Sequence, residues 1–119
     1  MEKKQDLRLR TKEYALGIVK LYSCLPKITE AQVIGNQVLR SGTSVGAHYR
    51  EGCRAKSNAD FISKLEGSLQ ELEETSYWLE LLVGAKIVSA DRIQPLLDET
   101  HELTAILVTI VKKTKSHRE

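Results

Sequence analysis

The chain has 119 residues and a formal net charge of +2, with 41% hydrophobic and 29% charged residues. We expect residues 1–119 to form one domain with one modest core, and a charge this small does not by itself indicate a nucleic-acid-binding protein. The sequence has no apolar run long enough to span a membrane, and its N-terminus lacks the apolar core of a signal peptide. We therefore predict a cytoplasmic protein.

The first half of the chain contains two predicted helices. Apolar residues recur at three- and four-residue steps over residues 5–25, which predicts a first helix that Pro26 ends. Its core row is Leu7, Tyr14, Ile18, Leu21 and Leu25. Thr29 and Gln32 form a capping-box pair, which predicts that a second helix begins there. Its core face is Ile34, Val38, Ser41, Val45, His48 and Gly52.

The second half of the chain contains two more predicted helices. Ser57 with Asp60 predicts the start of a third helix, and either Ser89 or Asp91 caps a fourth, in which Pro95 makes the first turn irregular. The third helix carries two heptad rows: Ile62, Leu69, Ser76, Val83 and Leu65, Leu72, Leu79. The core face of the fourth is Ile93, Leu96, Thr100, Leu103, Leu107 and Ile110.

Long helices joined by short loops run antiparallel to their neighbours. The predicted fold is therefore all-α, an antiparallel up-down-up-down four-helix bundle. No segment alternates with a period of two for long enough to predict a strand. Cys24 and Cys53 form no CxxC motif, and we interpret both as reduced, small residues of the core or of an interface.

Two outer surfaces predict assembly into a cyclic homo-oligomer. Leu9 and Leu16 lie opposite the core row of the first helix, while Trp78, Leu81 and Leu82 lie away from the leucine row of the third. Because these two helices lie on a diagonal of the bundle, a contact between them in successive copies is heterologous and closes into a ring. Gly35, Gly42, Gly46 and Cys53 form a narrow stripe on the second helix. This stripe indicates either tight packing within the bundle or a seam for a neighbouring subunit.

An enzyme is not predicted. The sequence has no phosphate-cradling glycine motif, its serines lack a histidine base, and Asp98–His101 gives only one copy of a metal pattern that needs two. We therefore expect no catalytic residues, no metal and no cofactor. His48 is expected at the edge of the core, and His101 in solvent.

Basic residues suggest a second kind of site. Residues 1–27 contain seven Lys or Arg and three acids, whereas residues 58–88 contain two and six. The candidate phosphate-binding residues are Arg8 and Lys12, then Arg40, Arg50 and Arg54, then Lys112, Lys113 and Lys115 in a tail that also includes Arg118. Alternatively, Arg50 and Arg54 form salt bridges with Asp60, Glu71 or Glu74. Aromatic residues make up only 5%, which favours contact with a nucleic-acid backbone over base readout.

Residues 41–82 resemble a known family, the 23S rRNA intervening-sequence proteins. The matching segments are SGTSVGAHYREG, RAKSNADFISKL and ELEETSYWLELL, and with the flanking helices the likeness covers nearly the whole chain. His48 stands where the family usually has Asn, which places any contact made by that Asn in doubt. The resemblance implies a homopentamer, and either an open reading frame associated with insertions in large-subunit ribosomal RNA genes or a stand-alone relative of such proteins. Similar pentamers are accessory proteins that bind a reverse transcriptase and nucleic acid in diversity-generating retroelements.

The sequence therefore predicts a non-enzymatic, homo-oligomeric helical bundle that binds RNA or DNA through repeated basic surfaces. The alternative is a protein-interaction scaffold, or an accessory protein to a partner such as a reverse transcriptase, in which the charged residues mainly hold the ring together. The predicted oligomer interface consists of Leu9, Leu16, Gly42, Gly46, Trp78 and Leu81. No membrane partner is expected.

Overall fold

A computed structural model describes residues 6–117, and all regular secondary structure in this part of the chain is helical. It has four helices: α1 Leu7–Ser23, α2 Thr29–Cys53, α3 Asn58–Gly84 and α4 Ala90–Ser116. Residue 5, where the first helix was predicted to begin, and Arg118 lie outside the described residues. None of the four described helices combines the length and apolarity needed to cross a membrane.

The helices run antiparallel to their neighbours, as the short connections predict. Along α2, Gly42 faces Ile18 of α1, and Gly46, one turn later, faces Thr11. The numbering therefore rises on one helix as it falls on the other. α2 lies between α1 and α3, and α4 packs on α3. Of these neighbouring pairs of described helices, α1 and α4 have the least backbone contact, while α1 and α3 have none. α1 and α3 are consequently diagonal to each other, and the bundle measures 51 × 30 × 20 Å.

Each helix contributes one apolar face to a single core. All five residues of the predicted α1 row are buried, as are Ile93, Leu103 and Leu107 of α4. Leu65, Leu72 and Leu79, the α3 row predicted from the heptads, have no exposed surface. These positions confirm the periodicity argument for the faces that point inward. Leu96 and Ile110, also predicted for the α4 face, are partly buried against the core.

The second α3 row was correct at Ile62, which is buried, and was assigned one residue off from there onward. Leu69, Ser76 and Val83 are half-buried, whereas Ser68, Thr75 and Leu82 are fully buried. The buried hydroxyl groups have hydrogen-bond partners: Ser68 Oγ donates to Val45 O at 2.8 Å, and Thr75 Oγ1 donates to Glu71 O at 2.8 Å. Small polar residues therefore take inner positions where α2 approaches α3, because backbone carbonyls satisfy them.

The glycine stripe of α2 faces α1 of the same chain. A Cβ atom on Gly42 would lie 2.8 Å from Ile18 Cγ1, and one on Gly46 would lie 2.9 Å from Thr11 Oγ1. Both glycines are buried. Their role is therefore close packing of two helices within the subunit. The assignment of Gly42 to an oligomer interface is corrected, because it is buried beneath Ile18, whereas Gly46 packs on Thr11 and also lines a groove between α1 and α2.

Three helices have a side-chain cap at the N-terminus, and the first is Asp6, which accepts from the Leu9 backbone N–H at 3.2 Å. Ser57 Oγ accepts from the Asp60 backbone N–H at 3.0 Å, and Ser89 Oγ accepts from Arg92 N–H at 3.4 Å. The capping box predicted at Thr29 is wrong: Ile28 is the N-cap, with no side-chain cap, and the Gln32 amide donates to Pro26 O instead. α4 continues through Pro95 without a break.

The α3–α4 turn contains the one non-glycine residue with positive φ among the described residues, Lys86, at φ 61°. Ile87 N–H donates to Leu82 O and Lys86 N–H donates to Val83 O, which is the Schellman pattern of helix termination. A glycine is usual at this position.

The outer faces were predicted correctly for α1 and only partly for α3. Leu9 and Leu16 are 50% and 57% exposed. Leu82 was wrongly placed outside; it has no exposed surface, and Trp78 is half-buried against the core. Both cysteine thiols are free, as expected, and both are exposed in the single subunit, which corrects the alternative that they belong to the core.

Candidate functional site

The arginines that the sequence grouped on α2 point to two different neighbours. Arg40 turns toward α3, where its guanidinium lies 2.6 Å from Glu74 Oε1 and 3.5 Å from Glu71 Oε1. These carboxylates raise the pKa of Arg40, with the Glu74 hydrogen bond as the largest cause. The glutamates considered as partners for Arg50 and Arg54 thus pair with Arg40. We therefore remove Arg40 from the candidate phosphate-binding residues.

Arg50 turns the other way, toward α1, where its Nη2 donates to Arg8 O at 3.3 Å. Within residues 6–117, neither Arg50 nor Arg54 forms an ion pair with a carboxylate. The alternative of salt bridges to Asp60, Glu71 or Glu74 is therefore wrong for both arginines in the single subunit. This result concerns contacts within one subunit and does not test salt bridges of Arg50 or Arg54 to a carboxylate of a second subunit.

Four cations gather on the face shared by α1 and α2. Arg8, Arg50 and Arg54 line a depression of about 190 Å³ together with Cys53. Arg50 and Lys12 line a shallower groove beside it, between Thr11 of α1 and Thr43 of α2. Because Arg50 belongs to both walls, the two concavities form one continuous strip. We call Arg8, Lys12, Arg50 and Arg54 the α1–α2 basic surface, and the smaller concavity the terminal depression.

The groups around the terminal depression do not cancel its charge. No acidic residue of the described chain lines it or the adjoining groove. The Asp6 carboxylate nearby accepts the Leu9 backbone N–H at 3.2 Å and so caps α1. Burial, and secondarily the Cys53 thiol, raise the pKa of Tyr49 to about 12, so this phenol is neutral near pH 7.

The lysines of the C-terminal tail line neither concavity of this surface, although α4 ends at the same end of the bundle, where Thr114 and Cys53 line a common pocket. Lys115 Nζ lies 3.3 Å from Glu66 Oε2 of α3, and Lys112 and Lys113 are exposed on α4. The structure therefore does not gather these three with the α1–α2 basic surface. Arg118 lies outside the described residues.

His48 sits in a charged row between α2 and α3. Its Nε2 is 3.7 Å from Glu71 Oε2 and its Nδ1 is 3.9 Å from Glu51 Oε1, while Lys64 approaches Glu51 at 3.7 Å. The side chain is 35% exposed and lies against Gly67. His48 is therefore an edge residue that links two helices, as expected.

A second concavity, which the sequence did not predict, lies between α3 and α4. It measures about 440 Å³, has mostly apolar walls that include Tyr77 and Val108, and carries Glu73, Glu80 and His101. Its signal in the sequence was the acidic excess of residues 58–88. Tyr77 is 54% exposed, and its ring meets the Trp78 ring edge-on with 5.0 Å between the ring centroids. The exposed aromatic residue of this face is therefore Tyr77, whereas the sequence predicted Trp78.

The candidate site contains groups that can bind an anion. No group of three or more His, Cys, Asp or Glu side chains within residues 6–117 is arranged to hold a metal ion. The α1–α2 basic surface offers guanidinium and ammonium donors to an anion, and guanidinium groups pair well with phosphate oxygens.

Comparison with known proteins places the chain in a family. The model of the family described as "23S rRNA-intervening sequence protein" matches residues 3–109. The crystal structure of a protein of unknown function from the S23 ribosomal protein family of Bacteroides thetaiotaomicron VPI-5482 is similar, with a TM-score of 0.83 and 39% identity. The similarity covers 88% of this chain and 97% of that one. No curated protein gives a significant match. The chain therefore belongs to the 23S rRNA-intervening sequence protein family.

Proposed function

We propose that this protein is a non-enzymatic RNA-binding bundle that contacts phosphates through the α1–α2 basic surface and works as a homo-oligomer. The observation that carries the proposal is the gathering of Arg8, Lys12, Arg50 and Arg54 in one strip whose walls include no described acid. By contrast, Arg40 and Arg10 are each paired with glutamates. Four cations that form no ion pair with a carboxylate of residues 6–117 suit a polyanion.

The choice of RNA rests on the family. Its description links it to intervening sequences of 23S rRNA. We expect contacts with the sugar-phosphate backbone rather than base readout, because the strip contains no exposed aromatic residue on which bases would stack. DNA of similar shape is expected to bind through the same contacts.

Self-assembly would repeat this surface. The exposed Leu9 and Leu16 on α1 face away from the core, and the apolar groove between α3 and α4 lies elsewhere on the bundle. Joining two different faces is a heterologous contact, which closes into a ring. Five copies are favoured by the resemblance. Several basic surfaces on one ring would bind one RNA with higher avidity than a single subunit.

The test is charge reversal with a matched control. Arg50→Glu with Arg54→Glu changes the charge of the strip by four units, and Lys20→Glu with Arg92→Glu makes the same change at the opposite end of α1 and the start of α4. Filter binding to a structured RNA should weaken by at least tenfold for the first pair and much less for the second. Equal losses would show that only net charge matters.

A protein-interaction scaffold is the second candidate, favoured by the exposed apolar stripe of α1 and by the ion pairs of Arg40 with α3. The two candidates differ in one result. If the wild-type protein binds neither RNA nor DNA at low salt, the scaffold is the better account and an accessory role to a protein partner follows.

A further inference from the structure

We infer that the terminal depression is a phosphomonoester site, which takes the terminal phosphate of a nucleic-acid strand in preference to an internal phosphodiester. The inference rests on the proposed function for its choice of a nucleic acid. The α1–α2 basic surface would otherwise bind the sugar-phosphate backbone anywhere along a strand, and the terminal depression adds a site for the strand end.

The position of Arg8 is the first argument. It lies in the first turn of α1, which itself contains no acidic residue, although the N-cap Asp6 places one carboxylate at this helix end. Cations are disfavoured at a helix N-terminus, where the macrodipole is positive. Arg50 and Arg54 are at the C-terminal end of α2, where the dipole favours them, so helix stability explains these two but not Arg8. The Asp6 carboxylate that caps α1 offsets part of the dipole, and an anion between the three arginines would in addition offset their mutual repulsion.

The second argument is the fit between charge and ligand. Three guanidinium groups line the depression, and Arg50 is held in place by its hydrogen bond to Arg8 O. A phosphomonoester has a charge of about −1.5 to −2 near pH 7, whereas a phosphodiester has about −1. The monoester also presents three terminal oxygens to the donors, instead of two.

The third argument is shape. The terminal depression is smaller and more enclosed than the groove beside Lys12. An internal phosphate has two ester substituents, and both must leave the site. A terminal phosphate has one, so it can enter a concavity that is open on one side while its strand leaves along the groove.

Cys53 provides the measurement, because its exposed thiol lies in the wall of the depression, whereas Cys24 is exposed at the far end of α1. The experiment follows alkylation of both thiols by iodoacetamide in the full-length protein, using mass spectrometry of peptides. The probes are a short RNA with a 5′-phosphate, the same RNA with a 5′-hydroxyl, and inorganic phosphate. Cys24 is the internal control in every reaction.

The 5′-phosphorylated RNA should protect Cys53, and not Cys24, at a concentration about tenfold lower than the 5′-hydroxyl RNA requires, the equivalent of one charge-assisted hydrogen bond. Arg8→Gln and Arg54→Gln should each remove this difference, while Arg40→Gln should retain it. Equal protection by the two RNAs, or none, would overturn the inference. Protection by inorganic phosphate at the same concentration as by the strand would also contradict it, since the strand would then contribute nothing.

Failure of this inference is distinguishable from failure of the proposed function. If the two RNAs protect equally and filter binding still depends on Arg50 and Arg54, the basic surface binds backbone and the end-specific site is wrong. If no RNA binds by filter assay at low salt, the proposed function itself is wrong.

Discussion

Two glycines set the distance between α1 and α2. Gly42 and Gly46 are buried directly beneath Ile18 and Thr11, at separations that leave no room for a methyl group. Interiors this closely packed resist added volume, because the neighbours must leave their rotamers or the helices must separate. The helical cost of a glycine is therefore balanced by close contact.

Gly42→Ala should lower the free energy of unfolding by about 1–3 kcal/mol, because the new methyl group would overlap Ile18. Gly84→Ala is the matched control, since a Cβ there meets nothing within 4 Å and alanine is favoured over glycine in a helix by about 0.5–1 kcal/mol. Urea denaturation of both variants gives the comparison. A stable Gly42→Ala variant would show that α1 and α2 are farther apart than described.

Leu72 lies in the middle of the α3 core row with no exposed surface. Leu72→Ala should destabilise the fold by about 2–5 kcal/mol through lost transfer free energy and the cavity left behind. The reference is Val33→Ala on α2, where the side chain is 58% exposed, and its melting temperature should change little. Similar melting temperatures for wild type and Leu72→Ala would contradict the core assignment.

Side-chain type explains which residues were predictable. The burial of large apolar residues such as Leu65 and Leu79 was predictable from their spacing alone. Ser68 and Thr75 did not, because their burial depends on partners supplied by the backbone and by α2: Thr75 Oγ1 and Ser41 Oγ are 2.7 Å apart. In the candidate site, the sequence named all four cations of the strip but also Arg40, whose acidic partners only the folded arrangement reveals.

At the scale of elements, the connections determine how the four helices succeed one another. α3 ends in a Schellman turn in which Lys86, rather than glycine, takes the left-handed conformation. A side chain there carries a steric cost of about 1–2 kcal/mol. Nothing in the spacing of apolar residues indicated this, because backbone conformation at a turn leaves no periodic signal.

Lys86→Gly should therefore stabilise the protein by about 0.5–1 kcal/mol, the relief of strain less the added entropy of glycine in the unfolded chain. Thermal unfolding monitored by circular dichroism is the measurement. Lys86→Ala retains the Cβ and serves as the control, with little change expected. A lower melting temperature for Lys86→Gly would mean that the lysine side chain has a stabilising contact in this turn.

At the scale of the whole molecule, clustered basic residues and clustered acidic residues lie on different faces of the bundle. The α1–α2 side carries Arg8, Lys12, Arg50 and Arg54, and the groove between α3 and α4 carries Glu73 and Glu80. Opposite charge on separate faces suits contact between successive copies as well as binding of a polyanion. The topology was predictable because helix length and loop length alone require antiparallel neighbours.

Leu16→Glu should reduce the molecular mass in solution while leaving helical circular dichroism intact, because Leu16 is 57% exposed and outside the core. Light scattering after size exclusion should give several times 13.4 kDa for the wild type. Thr109→Glu, an exposed change on α4, is the control and should leave the assembly unchanged. A wild-type monomer at micromolar concentration would contradict the proposed ring.

The salt dependence of RNA binding tests the central proposal most directly. Each phosphate neutralised by a cation contributes about 0.7 to the slope of log K against log salt concentration for a single strand. A variant with glutamine at Arg8, Lys12, Arg50 and Arg54 should therefore lose affinity and show a slope shallower by roughly 3 per RNA-contacting subunit, with its oligomeric state unchanged. The same slope and affinity as the wild type would show that RNA, if bound at all, does not contact the α1–α2 basic surface.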